Sequence, residues 1–281
     1  MRLTKVGNEN LMNMKFAVVT GASGGLGRSL VEMLAQNEWT VFALDVIPYK
    51  SSNIIEESII PIVCDVANSE SIQAAFQEVS KRTKKLDAVV NFAGILEMGS
   101  VIELPVDTMK KMLDINFLGM YQVNQVFFQL IVEGKGRIVN VSSETGVLSP
   151  APFSAFYYLT KHAVEVYSNA LRRELSFLDI PVVTIRPGAF KSNMHGKATQ
   201  IIENAIHNST LFKENLKKGL KMAEQGAKNA KDAMILAKVI YKALNVKKPK
   251  IIYRVNTNIL LKTLSILPEK NQDRIYKSVL K

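Results

Sequence analysis

A single doubly wound α/β domain, with a parallel sheet and helices on both faces, is the fold this sequence predicts. Three observations carry the expectation. Short apolar runs alternate with amphipathic stretches between residues 16 and 185. The apolar runs are nearly unbroken, as strands buried on both faces require. The first of them ends in a glycine-rich turn that opens straight into a helical pattern.

The elements follow in order. Phe16 to Thr20 reads as a strand, and Leu26 to Asn37 as a helix with Leu26, Leu30, Met33 and Leu34 on one face. Thr40 to Leu44 and Ile59 to Cys64 are strands, and Ser69 to Thr83 is helical. Leu86 to Val90 is the next strand, followed by one long helical region from Val106 to Glu133. Arg137 to Val141 is a strand, Tyr157 to Phe177 a helix, and Pro181 to Ile185 a strand. Residues 231–245 give a further helix, and Lys250 to Val255 a last strand. Residues 1–13 read as an N-terminal extension and 14–255 as the catalytic domain. Within that domain, 190–230 is a polar helical insertion, read as a substrate lid or a surface excursion. Residues 256–281 form a basic amphipathic tail.

Bulk composition narrows the function classes. The chain has 281 residues, 47 % of them hydrophobic, which is enough for a packed core. One cysteine, Cys64, rules out an intrachain disulfide and fits a reducing, cytoplasmic setting. No cysteine/histidine cluster offers a metal site, so no metal is expected. The N-terminus lacks the apolar core of a secretory signal, and the apolar runs are too short to span a bilayer. The net charge of +11 is spread among apolar residues late in the chain, from Lys213 to Lys262, without a dense basic block. A solvated basic face is therefore expected rather than a nucleic-acid site.

The turn Thr20-Gly21-Ala22-Ser23-Gly24-Gly25-Leu26-Gly27 suits a dinucleotide. Gly21 permits a sharp turn, Gly25 lets backbone approach a ligand, and Gly27 lets the helix pack closely. Free N–H groups at the start of the following helix, reinforced by its dipole, attract a pyrophosphate. Asp45 ends the second strand, where a carboxylate accepts from ribose hydroxyls and repels a 2′-phosphate. That favours NAD. Arg28, which could reach such a phosphate, keeps NADP as the alternative.

Tyr157 and Lys161 stand one helical turn apart. Tyrosine is a weak base at neutral pH, and an adjacent ammonium is expected to lower its pKa. The pair could then take a proton from an alcohol or return one to a ketone. Tyr158, followed four residues on by His162, is read as a packing residue. Ser142 and Ser143 end the preceding strand, where a hydroxyl could bond the substrate oxygen.

These motifs, in this order, resemble the short-chain dehydrogenase/reductase family. The family's Thr-Gly-x-x-x-Gly-x-Gly turn is matched by Thr20 to Gly27, its Asn-Asn-Ala-Gly segment by Asn91-Phe92-Ala93-Gly94, and its Tyr-x-x-x-Lys pair by Tyr157 and Lys161. Its Pro-Gly turn is matched by Pro187-Gly188, with Ser192 where threonine is usual. The resemblance covers roughly residues 15–195 and implies a Rossmann-type domain that moves a hydride between a nicotinamide cofactor and an alcohol or ketone. It implies Asn116, Ser143, Tyr157 and Lys161 as the catalytic set, with Asn116 holding a relay water near the lysine. It implies cofactor contacts at Gly21, Ser23, Gly24, Gly25, Leu26, Gly27, Asp45, Asp65, Val66, Asn91, Ala93, Gly94, Tyr157, Lys161, Pro187, Gly188 and Ser192. Two departures stand out. Phe92 replaces an asparagine, and Ser143 lies one position farther from Tyr157 than is usual, which leaves Ser142 as the alternative serine.

The substrate loop carries Val147, Leu148, Pro150, Pro152, Phe153 and Phe156, and the turn after the sixth strand adds Phe190 and Met194. Phe153, Phe190 and Met194 are the candidate pocket residues for a hydrophobic alcohol or ketone resembling a steroid, retinoid or lipid. The resemblance also implies a homodimer or homotetramer, paired through the helices containing Asn116 and Tyr157. The basic tail is a candidate contact with anionic lipid. A dinucleotide-binding regulatory protein without catalysis is the competing class.

Overall fold

The computed structural model describes residues 14–50, 56–191 and 193–281. The expected extension 1–13 and Ser192 lie outside the described residues.

Seven parallel strands form one sheet in the order β3-β2-β1-β4-β5-β6-β7. They are β1 (Lys15–Thr20), β2 (Trp39–Asp45), β3 (Ile59–Val63), β4 (Ala88–Asn91), β5 (Arg137–Val141), β6 (Val182–Pro187) and β7 (Ile252–Val255). The chain reverses its winding between β1 and β4, so a crevice opens beyond the carboxyl ends of those two strands.

Alternation along each strand builds two cores. Ala17 and Val19 of β1, with Val41, Val90, Val139 and Ile185, pack under α1 (Gly25–Gln36) and a helix near the end of the domain. Phe16 and Val18, with Phe42, Leu44, Val89 and Ile138, pack on the opposite face under α2 (Ser69–Arg82) and the helix that precedes β5. Cys64 is buried in this second core, and burial pushes its thiol up to about 11.

The long helix expected over 106–133 is interrupted. α3 (Val106–Leu113) and α4 (Gly119–Gly134) are joined by a π turn, Asp114–Leu118, with Asn116 at its centre. The remaining helices are α5 (Ala155–Leu175), α6 (Asn193–Asn208), α7 (Lys213–Ala227), α8 (Ala233–Asn245), α9 (Ile259–Ser265) and α10 (Glu269–Leu280). α6 and α7 make up the 190–230 insertion. No helix among the described residues is long and apolar enough to cross a membrane.

Candidate active site

The turn after β1 is built for a closely approaching anion. Gly21 sits at φ +64, and a side chain there would meet the backbone of Ala93 at 2.8 Å. A Cβ on Gly27 would lie 2.2 Å from the Gly21 carbonyl oxygen, so α1 can start this close only with glycine. Gly24 caps α1 without any side-chain hydrogen bond, leaving the first N–H groups of the helix to a ligand. The Leu26 side chain packs against the first core, so its backbone alone faces the turn.

Asp45 points back at this turn. One carboxylate oxygen accepts from the Ser23 N–H at 2.9 Å, the other from the Ile47 N–H at 3.0 Å. Arg28 is engaged beside it: its guanidinium lies 4.6 Å from the Tyr49 ring centroid, donates to the Lys50 carbonyl at 3.0 Å and pairs with Glu32 at 3.6 Å. Asp65 closes the turn after β3 by accepting from the Ala67 N–H, while Val66 is buried in the second core. The residues present therefore fit a dinucleotide: an open helix N-terminus, two glycines that admit backbone contact, and a carboxylate at the end of β2.

Asn91 ends β4 beside the crevice. Its side chain turns into the interior, donating to Asn124 at 2.7 Å and Asn140 at 3.0 Å. Asn140 in turn donates to Ser168 at 3.0 Å. The asparagine after β4 thus ties strands to helices, and its backbone is what remains for the crevice. Asn124 and Asn140 were not foreseen; their signal is an amide on an otherwise apolar helix or strand face. Ala93 donates its N–H to the Thr20 hydroxyl at 3.2 Å, which holds the segment after β4 against the glycine turn.

The π turn delivers Asn116 to the same place. Its side-chain oxygen accepts from the Ile95 N–H at 2.7 Å, and its amide donates to the Ile95 carbonyl at 2.9 Å and the Thr160 hydroxyl at 3.1 Å. A Cβ on Gly94 would stand 3.3 Å from the Asn116 oxygen and 3.8 Å from Lys161 Nζ, so these groups line one small space.

Lys161 is buried, donates to the Val141 carbonyl at 3.1 Å, and lies 5.8 Å from the Tyr157 ring centroid. The two serines are distinguished. Ser143 stands close enough to the Tyr157 phenol to lower its pKa, and its hydroxyl accepts from the Thr145 N–H at 3.2 Å. Ser142 faces the α5 backbone, 3.5 Å from the Lys161 carbonyl oxygen. A tight 3-10 turn over Glu144–Val147 follows Ser143. One turn beyond Lys161, Glu165 forms a buried two-point pair with Arg186, both contacts 2.8 Å.

The electrostatics correct one expectation. Burial pushes the Tyr157 phenol up to about 12, opposed by the Ser143 hydrogen bond and reinforced by Glu144. Burial also lowers Lys161 to about 8, against the pull of Glu165. Desolvation is the largest influence on each group, so the phenol moves up, against the downward shift that the sequence spacing foretold. Burial therefore favours the protonated phenol and brings the lysine well below its ordinary range.

Pro187 ends β6, and Gly188 is wedged beyond it: a Cβ there would lie 2.0 Å from the Asn256 carbonyl oxygen and 3.1 Å from a Glu144 carboxylate oxygen. Phe190, expected in the substrate pocket, is instead fully buried in the first core and bridges to Lys231. Its ring is the largest apolar group in that turn, and the core beneath α8 takes it. The Met194 side chain lies outside the described residues. Phe153 is half-buried, and its ring meets Phe212, at the start of the α7 region, at 5.7 Å.

Residues 15–202 match the short chain dehydrogenase family. The chain belongs to that family. It is an oxidoreductase of the kind that acts on CH–OH groups through a nicotinamide cofactor. Among curated relatives, a probable short-chain type dehydrogenase/reductase, VdlC, of Helicobacter pylori is 30 % identical over 266 residues, covering 94 % of this chain and 97 % of that protein. Estradiol 17-beta-dehydrogenase 2 of Rattus norvegicus is 36 % identical over 194 residues, 66 % of this chain and 50 % of that longer protein. Among solved structures, a short chain dehydrogenase/reductase of Burkholderia phymatum in complex with NAD superposes with a TM-score of 0.73 at 20 % identity, covering 93 % of this chain and 95 % of that one.

Proposed function

We propose that this short chain dehydrogenase uses NAD to interconvert a hydrophobic secondary alcohol, steroid-, retinoid- or lipid-like, and its ketone. The observation that carries the reading is buried Lys161 standing 5.8 Å from the Tyr157 ring, with Ser143 beside the phenol, at the crevice that Asp45 and the uncapped α1 border. NAD, when bound, supplies the hydride acceptor, and its reduced form the donor. The open N–H groups of α1 would hold the pyrophosphate, and Asp45 the adenosine ribose. Ser143 would bond the substrate oxygen and steady the charge that develops there. Tyr157, held neutral by burial, would give its proton to that oxygen in reduction and recover one in oxidation. Lys161 would bind the nicotinamide ribose with the donors that Val141 leaves free.

Arg28 bears on the NADP alternative. Its contacts with Tyr49, Lys50 and Glu32 occupy the guanidinium, and Asp45 stands unopposed at the end of β2. Estradiol, in the name of the rat relative, supports an apolar substrate.

Separate fluorescence titrations with NADH and NADPH test the assignment. NADH binding at least about tenfold tighter is the expected result, a difference of about 1.4 kcal/mol. The reverse order would overturn the NAD assignment and point to Arg28, and silence with both would overturn the enzyme reading.

Two surfaces extend the reading. Leu118 and Tyr121 near the start of α4, with Leu159 and Val166 of α5, are exposed, Val166 by 72 %. They present an apolar face on the helices that would pair in a homodimer or homotetramer. On the C-terminal segment Ile259, Leu260 and Ile266 are exposed near Lys262 and Lys270, a composition suited to an anionic lipid surface.

A further inference from the structure

The C-terminal segment is folded back over the substrate loop. The Asn258 N–H donates to the Glu144 carboxylate at 2.5 Å, directly after the catalytic serine candidate. Ser149 donates its N–H to the Ser265 hydroxyl at 2.6 Å and its own hydroxyl to the Ser265 carbonyl at 3.3 Å. Buried Gln272 closes the α9–α10 corner on the Leu267 carbonyl at 2.7 Å. Asn215 of α7 donates to the Leu280 carbonyl at 2.7 Å. Three segments distant in sequence are thereby held around one space.

That space is a cleft of about 320 Å³, lined by Phe153, Phe212, Asn215, Tyr276, Lys277 and Leu280 among others. Its volume falls at the lower end of small-molecule sites, which run from about 300 to 1,000 Å³. Its walls are aromatic and aliphatic, and its lining includes two lysines, Lys277 and Lys281, and no acidic residue. Phe153 is held at φ +67, a conformation that costs a bulky residue energy. The Gly99 N–H, bonded to the Phe153 carbonyl at 2.8 Å, and the Phe212 ring fix it there. Such strain persists where the surroundings over-determine the residue, and here it aims the ring into the cleft.

The position relates the cleft to the reaction. Phe153 stands four residues ahead of Tyr157, so the two α-carbons are separated by at most about 14 Å of chain. Tyr276 lies close enough to Tyr158, the neighbour of Tyr157, to act on its ionisation.

We infer that the cleft between the substrate loop, α7 and α10 is the distal subsite for an acyl-type substrate, a hydrocarbon chain ending in a carboxylate, phosphate or sulfonate that Lys277 receives. The inference rests on the proposed function for its orientation toward Tyr157, and it narrows the substrate from hydrophobic to amphiphilic. Tyr276 and Leu280 then set chain length, and Lys277 sets the preference for an anionic end. The C-terminal segment is a wall of the binding site as well as a surface element.

Binding of cis-parinaric acid, a long-chain polyene acid that fluoresces in apolar surroundings, tests this without turnover. The cofactor-free protein is expected to bind it saturably. Leu280→Glu, which places a charge among the apolar walls, is expected to weaken binding at least about tenfold. Phe212→Ala reaches the same cleft from α7 and is expected to weaken it severalfold, so a folding fault in α10 cannot decide the outcome. Lys277→Glu is expected to weaken the acid about tenfold and to leave its methyl ester unchanged; equal loss of both would overturn the anionic end. In turnover, kcat/KM is expected to rise about threefold to fourfold per methylene until the cleft is filled. Absence of saturable binding, or equal binding by wild type, Leu280→Glu and Phe212→Ala, would overturn the subsite. NADH titration of each variant separates the two readings: loss of NADH binding in the wild type sinks the proposed function, whereas intact NADH binding without parinarate binding sinks the cleft alone.

Discussion

Tyr157 and Lys161 carry opposite shifts from one cause. Lys161 is buried and Tyr157 half-buried, so each resists its charged form, the phenol rising to about 12 and the ammonium falling to about 8. Tyr157→Phe is expected to lower kcat by about 10²–10⁴-fold, the usual worth of a positioned proton donor, while leaving NADH affinity unchanged. Stopped-flow turnover together with NADH titration checks both halves. The pH profile follows from Lys161. Below about pH 8 the lysine is charged and available to steady a developing phenolate; above it the charge is lost. Ketone reduction is expected to fall as pH rises through about 8, and Lys161→Arg to move that limb upward by more than one unit. A profile of kcat/KM from pH 6 to 10 reads it directly. The sign for stability is separate. A lysine depressed from 10.5 to about 8 loses stabilisation as pH falls across that window, and a tyrosine raised from 10.0 to about 12 loses it as pH rises across its own.

Among the elements, the insertion made of α6 and α7 is latched rather than loose. The Glu103 carboxylate, in the loop after β4, accepts from the Ser209 hydroxyl, the Thr210 N–H and hydroxyl, and the Leu211 N–H, all between 2.7 and 2.9 Å. These bonds hold its pKa down at about 2, so the latch stays charged at any working pH. Glu103→Ala is expected to speed limited proteolysis at the α6–α7 junction by about fivefold and to change KM more than kcat, because the site's wall loosens while Tyr157 stays in place. Unchanged cleavage at that junction would show that α6 and α7 hold themselves. The latch could not be read in advance. Glu103 lies more than a hundred residues from the groups it holds, and a lone glutamate in a loop carries no spacing signal. The Tyr157–Lys161 pair, by contrast, was legible because its partners are one turn apart on one helix.

The described residues form one seven-stranded sheet, with the candidate site beyond the carboxyl ends of its central strands and an apolar patch on α4 and α5. A proposed dimer or tetramer through that patch gives a direct test. Val166→Arg, at the most exposed of its apolar positions, is expected to reduce the mass measured by light scattering to that of a smaller assembly, with far-UV circular dichroism unchanged. An unaltered mass would place the interface elsewhere.

What the sequence determined by itself was local: strand and helix identity from periodicity, the glycine turn, the carboxylate at the end of β2, and a tyrosine one turn from a lysine. The tertiary structure decided what depends on neighbours brought from afar. It set Ser143 near the Tyr157 phenol and Ser142 against the α5 backbone. It sent Phe190 into the core, turned Asn91 toward Asn124 and Asn140, and laid the C-terminal segment on the substrate loop through Ser149 and Ser265. It also reversed the expected direction of the Tyr157 shift. The physical reason is common to all of these. Spacing along a chain sets which side chains can share a face, but burial and hydrogen-bond partners belong to the packed molecule, and those set orientation and charge.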